Sequence, residues 1–199
     1  KAIENMGKPS VAALNGLAFG GGSELAMAAN VRIAVNTPVL VGQPEPKLGI
    51  IPGFGGTQRF PRWVGLASCW KLLRDGEPIS ASQALEIGYI KEIVEEDVVG
   101  RAVELVREMA AGKAETPKIP AEPIDVPADL PDVDIGHLST KIDEILRDVI
   151  LEGAKSTLEE GLEIEAKGFG KCLETEDMRI GMENFIKNGP RARAEFKNR

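Results

Sequence analysis

Two carboxylates stand in settings that suit acid–base chemistry. Glu24 follows Gly20, Gly21, Gly22 and Ser23 at the head of a run of helix formers, and Glu45 sits between Pro44 and Pro46. An acid in a first helical turn is favoured by the macrodipole by about 0.3–1 kcal/mol, whatever else it does. The flanking prolines fix the backbone around Glu45 and make it a stiff platform. Where a strand turns into a helix, the N–H groups of Gly21 and Gly22 are unshielded by side chains, which makes them candidate donors to a developing oxyanion. The same glycines equally serve tight strand-to-helix packing, and either glutamate alone fits an ordinary structural or surface role. The pair is more telling than its members. If the loop 43–56 folds over the start of the Glu24 helix, two acids and a row of amides share one apolar pocket. Such a site drives the two pKa values apart and leaves one acid protonated near neutrality.

Other chemistries are poorly served. The glycine cluster lacks the GK[ST] of a phosphate loop, Leu25 stands where a nucleophile elbow around Ser23 needs glycine, and no third glycine completes a dinucleotide fingerprint. His137 is the only histidine, so neither a His-dependent triad nor a multi-His metal site is expected, and no metal is assigned. Cys69 and Cys172 have neither zinc-site spacing nor the density of a disulfide scaffold, and read as buried thiols of a reducing interior.

The elements that must position these groups follow an α/β rhythm. Residues 10–19, SVAALNGLAF, read as one strand covered on both faces, and Glu24–Ala29 as a short helix with Ser23 as N-cap and Asn30 as its left-handed end. Strands are expected at 31–35 and 39–42. The segment 43–65, with four prolines and five glycines, should be irregular yet packed, as functional loops are. Helices are expected over 66–74, 79–88 with a Ser cap, and 97–111. The five prolines of 114–136 favour an extended connector. Beyond it Ile142, Ile145, Leu146, Val149 and Ile150 form a helical apolar stripe, and a further helix is expected over 178–187.

Composition bounds the rest. The chain has 199 residues, 43% hydrophobic, which is enough for a real core. A net charge of −7 provides no global field for nucleic acid or an anionic membrane, and Arg191, Arg193 and Lys197 read as a solvated basic tail. No apolar run approaches a membrane span and no secretion signal opens the chain, so a cytoplasmic location is expected. The division is then 1–113 with the site elements, 114–136 as connector, and 137–199 as a helical region for docking or oligomerisation. The opening KAIENMGKPS lacks an initiator Met and reads like a helix tail, which points to a piece of a longer polypeptide.

KPSVAALNGLAFGGGSELAMAANVRIAV followed by QPEPKLGIIPGFGGTQRFPRWVG resembles the crotonase superfamily, and within it the enoyl-CoA hydratases. The likeness runs over about residues 8–110, and GMENFIKNGPRARAEF resembles the family's C-terminal helix more loosely. It implies the C-terminal portion of a spiral of ββα turns, a helical tail used in a homotrimer or hexamer, and an acyl-CoA substrate with no separate cofactor. Glu24 matches the glutamate that orients and activates water, and Glu45 the one that exchanges a proton with the substrate α-carbon. Gly21 matches the oxyanion-hole glycine, with Gly22 beside it, and Gly53 the glycine that helps position water and substrate. Keeping both acids favours hydration over the isomerase and thioester-hydrolase reactions of relatives, and a non-catalytic scaffold is the separate alternative. The family's first oxyanion donor and much of its adenine pocket precede residue 1. The proline-rich connector is like that of hydratases fused to a 3-hydroxyacyl-CoA dehydrogenase, and NAD would enter only with such a partner domain.

Overall fold

The computed structural model describes residues 1–199. Its strands are β1 (Val11–Leu14), β2 (Ala18–Phe19), β3 (Val31–Val35), β4 (Val41–Gly42) and β5 (Glu92–Val94). Every strand pairing is parallel: β1, β3 and β5 form one sheet in that order, and β2 and β4 form a second. The chain therefore visits the first sheet, then the second, then a helix, and returns to the first sheet one strand further on. That is the pitch of a ββα spiral, as expected.

Residues 10–19 are not one strand. The turn at Asn15–Leu17 divides them, so β1 joins the first sheet and β2 the second. Nor is the run covered on both faces as expected: β1 is mostly half-buried, and Leu17 and Phe19 are exposed, so apolar composition alone discloses neither the bend nor the exposure. β4 is likewise shorter than expected, and residues 1–8 form turns rather than the end of a helix.

Helix α1 (Gly21–Met27) starts earlier than expected, with Gly20 as N-cap and no side-chain cap. Ser23 is inside the helix, where its hydroxyl meets the Tyr89 hydroxyl at 3.0 Å. Asn30 does not terminate the helix. Its Oδ1 accepts from the Ser10 amide and hydroxyl, tying the α1 exit to the β1 entry. The loop 43–65 is only half irregular: it holds a 3-10 turn, Glu45–Leu48, and helix α2 (Gly56–Val64). Helices α3 (Leu66–Asp75), α4 (Ala81–Glu86) and α5 (Val98–Ala110) match expectation, with Ser80 and Asp97 as caps.

Helices α6 (Thr140–Ala154), α7 (Leu158–Leu173) and α8 (Glu176–Asn188) complete the chain. The α6 stripe is buried as expected and joins the same core as Met27, Leu40, Ile51 and Phe60, so residues 137–173 share the hydrophobic core of 1–113. Helix α7 escaped notice, although Thr157 and Glu160 form a reciprocal capping box at its start. The connector 114–136 has no helix or strand, but it is a strap laid on the body. Ile124, Val126, Leu130 and Val133 pack on the main core. Pro117 and Pro131 carbonyls accept from Asn30 Nδ2 and Trp70 Nε1, both at 2.9 Å.

Candidate active site

Glu24 comes from the first turn of α1 and is 2% exposed. Its Oε1 accepts two amides from the start of α2, Phe54 N at 2.8 Å and Gly56 N at 2.7 Å. Its Oε2 makes no protein hydrogen bond, and the residue lines a cavity of about 400 Å³ with Gly21, Leu25, Phe54 and Arg59. One oxygen is thus clamped and the other left for a ligand. Burial pushes the Glu24 carboxyl up, while the two amides pull it back.

Glu45 comes from the 3-10 turn, with Pro44 as its N-cap and Pro46 following, which is the stiff platform expected. It is buried, and its Oε2 has no partner. Burial pushes its carboxyl up to about 7, helped by the charges of Glu24 and Glu165. An acid so placed holds its proton near neutrality.

Gly20 is the hinge between the two acids. Its carbonyl accepts the Glu24 amide at 2.9 Å, and its φ of 51° belongs to glycine. A Cβ there would stand 2.5 Å from Glu45 Oε1. Gly56 is the second close approach, since a Cβ would come within 2.8 Å of Glu24 Oε1 and 3.0 Å of Gln43 Nε2. Gly20 thus abuts Glu45 and opens the turn that carries Glu24, and the charge of Glu24 is felt at Glu45. The cavity beside Glu24 is not lined by Glu45, however, so the single shared pocket expected from the sequence is not what forms. Gly21 and Gly22 occupy the first two helical positions of α1, exposed, with amides bonded to no protein acceptor. Gly53 is set apart. Its amide has no protein acceptor, a Cβ there would come within 2.8 Å of the Phe169 ring of α7, and Glu24 is clamped by Phe54 and Gly56 instead.

Sequence reasoning missed three contributors. Gln43 is fully buried beside Gly56 with both amide atoms unpartnered. Arg59 donates to the Phe54 carbonyl at 2.9 Å and pairs with Glu4 at 2.6 Å, which places a cation near the acids. Glu165 reaches in from α7. The QPEP string offers a signal for Gln43; the other two lie too far along the chain for any local pattern to find. No three His, Cys, Asp or Glu side chains converge as a metal site requires. His137 and Arg193 lie in a separate pocket with Lys47, away from the acids. No helix is long and apolar enough to cross a membrane.

The chain as a whole is similar to known proteins. The enoyl-CoA hydratase/isomerase family model matches residues 1–122. A probable enoyl-CoA hydratase of Bacillus subtilis is 36% identical over 97% of this chain and 66% of its own length. A short-chain-enoyl-CoA hydratase of Clostridioides difficile is 35% identical over 91% of this chain and 99% of its own. A fatty acid oxidation complex subunit alpha of Shewanella loihica is 31% identical over 86% of this chain but only 26% of its own length. The crystal structure of carnitinyl-CoA hydratase from Mycobacterium avium superposes with a TM-score of 0.68, at 28% identity, over 96% of this chain and 64% of that one. The chain spans slightly under two thirds of several curated relatives it matches, 62–66%. With the family model covering more than half of its residues, the chain belongs to the enoyl-CoA hydratase/isomerase family.

Proposed function

We propose that this protein catalyses the reversible syn addition of water to a trans-2-enoyl-CoA, giving a 3-hydroxyacyl-CoA. The observation that carries the reading is the pairing of a clamped carboxylate, Glu24, with a buried and partnerless one, Glu45, across the Gly20 junction. Water bound between them loses a proton to Glu24 as its oxygen bonds to the substrate β-carbon. The π electrons move onto the thioester oxygen, and the resulting enolate takes the Glu45 proton at its α-carbon. Each hydration leaves Glu24 protonated and Glu45 ionised, and return of that proton from Glu24 to Glu45 through solvent after product release resets the site. The dehydration direction starts from the opposite tautomer of the same singly protonated pair. The bare amides of Gly21 and Gly22 suit the enolate oxygen. The Gly53 amide helps hold water and substrate at the mouth of the site. Leu25 and Phe54, 63% and 81% exposed on the cavity rim, offer apolar surface to an acyl chain.

CoA is part of the substrate, so the reaction uses no further cofactor. The fatty acid oxidation complex among the relatives supports placing the reaction in acyl-CoA breakdown, with NAD chemistry belonging to a dehydrogenase partner. The family likeness supports a homotrimer or hexamer.

The direct test mixes the chain with crotonyl-CoA and follows the ultraviolet absorbance of the conjugated thioester. The expected result is loss of that absorbance with a 3-hydroxyacyl-CoA as product. A shifted double bond, free CoA, or no change would each contradict hydration.

A further inference from the structure

Four consecutive amides at the start of α2 are divided between two buried carboxylates. Phe54 N and Gly56 N donate to Glu24 Oε1. Gly55 N donates to Glu165 Oε1 at 2.6 Å, and Thr57 N to Glu165 Oε2 at 3.0 Å. The Thr57 hydroxyl adds a third bond to Glu165 Oε2, at 2.5 Å. The backbone therefore alternates, one amide to one acid and the next to the other.

Glu165 is 2% exposed and has no cation in direct contact, so its function is not that of a surface ion pair. We propose that Glu165 is a positioning residue for Glu24, holding the 54–57 turn from its far side so that the Phe54 and Gly56 amides face the Glu24 carboxylate. Because the peptide units are rigid, fixing the Gly55 and Thr57 amides restricts the Gly56 amide between them and the adjoining Phe54 amide. The link continues outward. Gln58 Nε2 donates to Thr57 Oγ1 and to the Val149 carbonyl, and Arg62 donates to the Gly153 and Ser156 carbonyls. Helices α6 and α7 are thereby tied to the turn through side chains as well as packing. The C-terminal helices, in this reading, complete the geometry of the water-activating acid. The inference rests on the proposed role of Glu24, but its structural half is independent of catalysis.

The test uses Glu165→Gln, which preserves shape but presents an NH₂ group to the Thr57 amide. Amide hydrogen exchange of the full chain is compared with turnover on crotonyl-CoA. Protection at Phe54 and Gly56 is expected to fall at least tenfold while Ile33 in β3 is unchanged. Turnover is expected to fall at least tenfold with KM within about threefold. Thr57→Ser, which keeps the hydroxyl, should retain both properties. If Glu165→Gln does not fold, Thr57→Ala is measured in its place, and the same local loss of protection is expected on a smaller scale. Unchanged protection at Phe54 and Gly56 overturns the proposal, as does equal loss throughout the sheet. If the wild type hydrates no enoyl thioester, the functional reading fails, while the exchange pattern still decides the positioning claim.

Discussion

Glu24→Gln and Glu45→Gln are each expected to lower hydration turnover by about 10²–10⁴-fold, the usual contribution of a positioned acid or base. Neither variant should unfold the chain. In Glu24→Gln the side-chain amide oxygen keeps the lone pairs that accept Phe54 N and Gly56 N, so the clamp survives while basicity is lost. At Glu45 a neutral amide replaces a buried carboxyl whose Oε2 bonds nothing. The pH dependence separates the two roles. Glu45 must be protonated to deliver its proton, so wild-type turnover should fall as pH rises through about 7. The stability consequence has a definite sign. The folded-state pKa of Glu45 lies above its ordinary value of 4.5, so its contribution is fully present below 4.5 and is lost as pH rises towards about 7. Glu165, raised to about 7 chiefly by burial despite its three donors, adds to the same slope. Wild-type stability should decline across that window, and Glu45→Gln should decline less steeply. Urea midpoints measured at pH 4.5 and pH 8 check this, and equal slopes would show that Glu45 is well solvated in the folded chain.

Asp143→Ala is expected to cost about 3–5 kcal/mol of stability, the range for removing one member of a buried ion pair. Arg74 of α3 meets Asp143 of α6 through two parallel bonds, Nε to Oδ1 at 2.8 Å and a terminal nitrogen to Oδ2 at 2.6 Å. Their side chains are 7% and 10% exposed. The guanidinium also lies 4.9 Å from the Trp70 ring, and Trp70 Nε1 holds the Pro131 carbonyl of the strap. Without Asp143, Arg74 is left buried with only a ring face for company. Because the penalty arises from the stranded charge, Arg74→Met combined with Asp143→Leu should recover much of the loss. Thermal and urea unfolding of the single and double variants measure it. A single-variant loss below about 1 kcal/mol would mean that Arg74 finds solvent and that the pair is no stronger than a surface one.

The contrast between these two sets of residues shows what the sequence discloses. Glu24 and Glu45 are legible because each sits in a local signature, glycines before a helix and prolines around an acid, that restricts the backbone in a recognisable way. The α6 stripe is legible because burial imposes a helical period on its residues, and β3 because a short β-branched run ends at a clear turn signal, Asn36-Thr37-Pro38. The split of 10–19 into two strands is not legible, since a nearly continuous apolar run carries nothing to mark the bend at Asn15–Leu17 or the exposure of Leu17 and Phe19. Nor is the α1 cap: Ser23 offers a good capping hydroxyl, but the Gly20 backbone starts the helix three residues earlier, and Ser23 turns to Tyr89. No local signature marks Glu165 or Asp143. They become buried only because α6 and α7 fold back on α2 and α3, an arrangement set by tertiary packing. The site is thus half local and half assembled.

The central claim is that a single water is flanked by both acids on one side of the substrate's double bond. Hydration of crotonyl-CoA in D₂O reports on this directly, because the new C2–D bond records where Glu45 stood and the new C3–O bond records where Glu24 held the water. Proton NMR coupling between C2 and C3 of the product should show syn addition. An anti product would place the two acids on opposite faces and contradict the account.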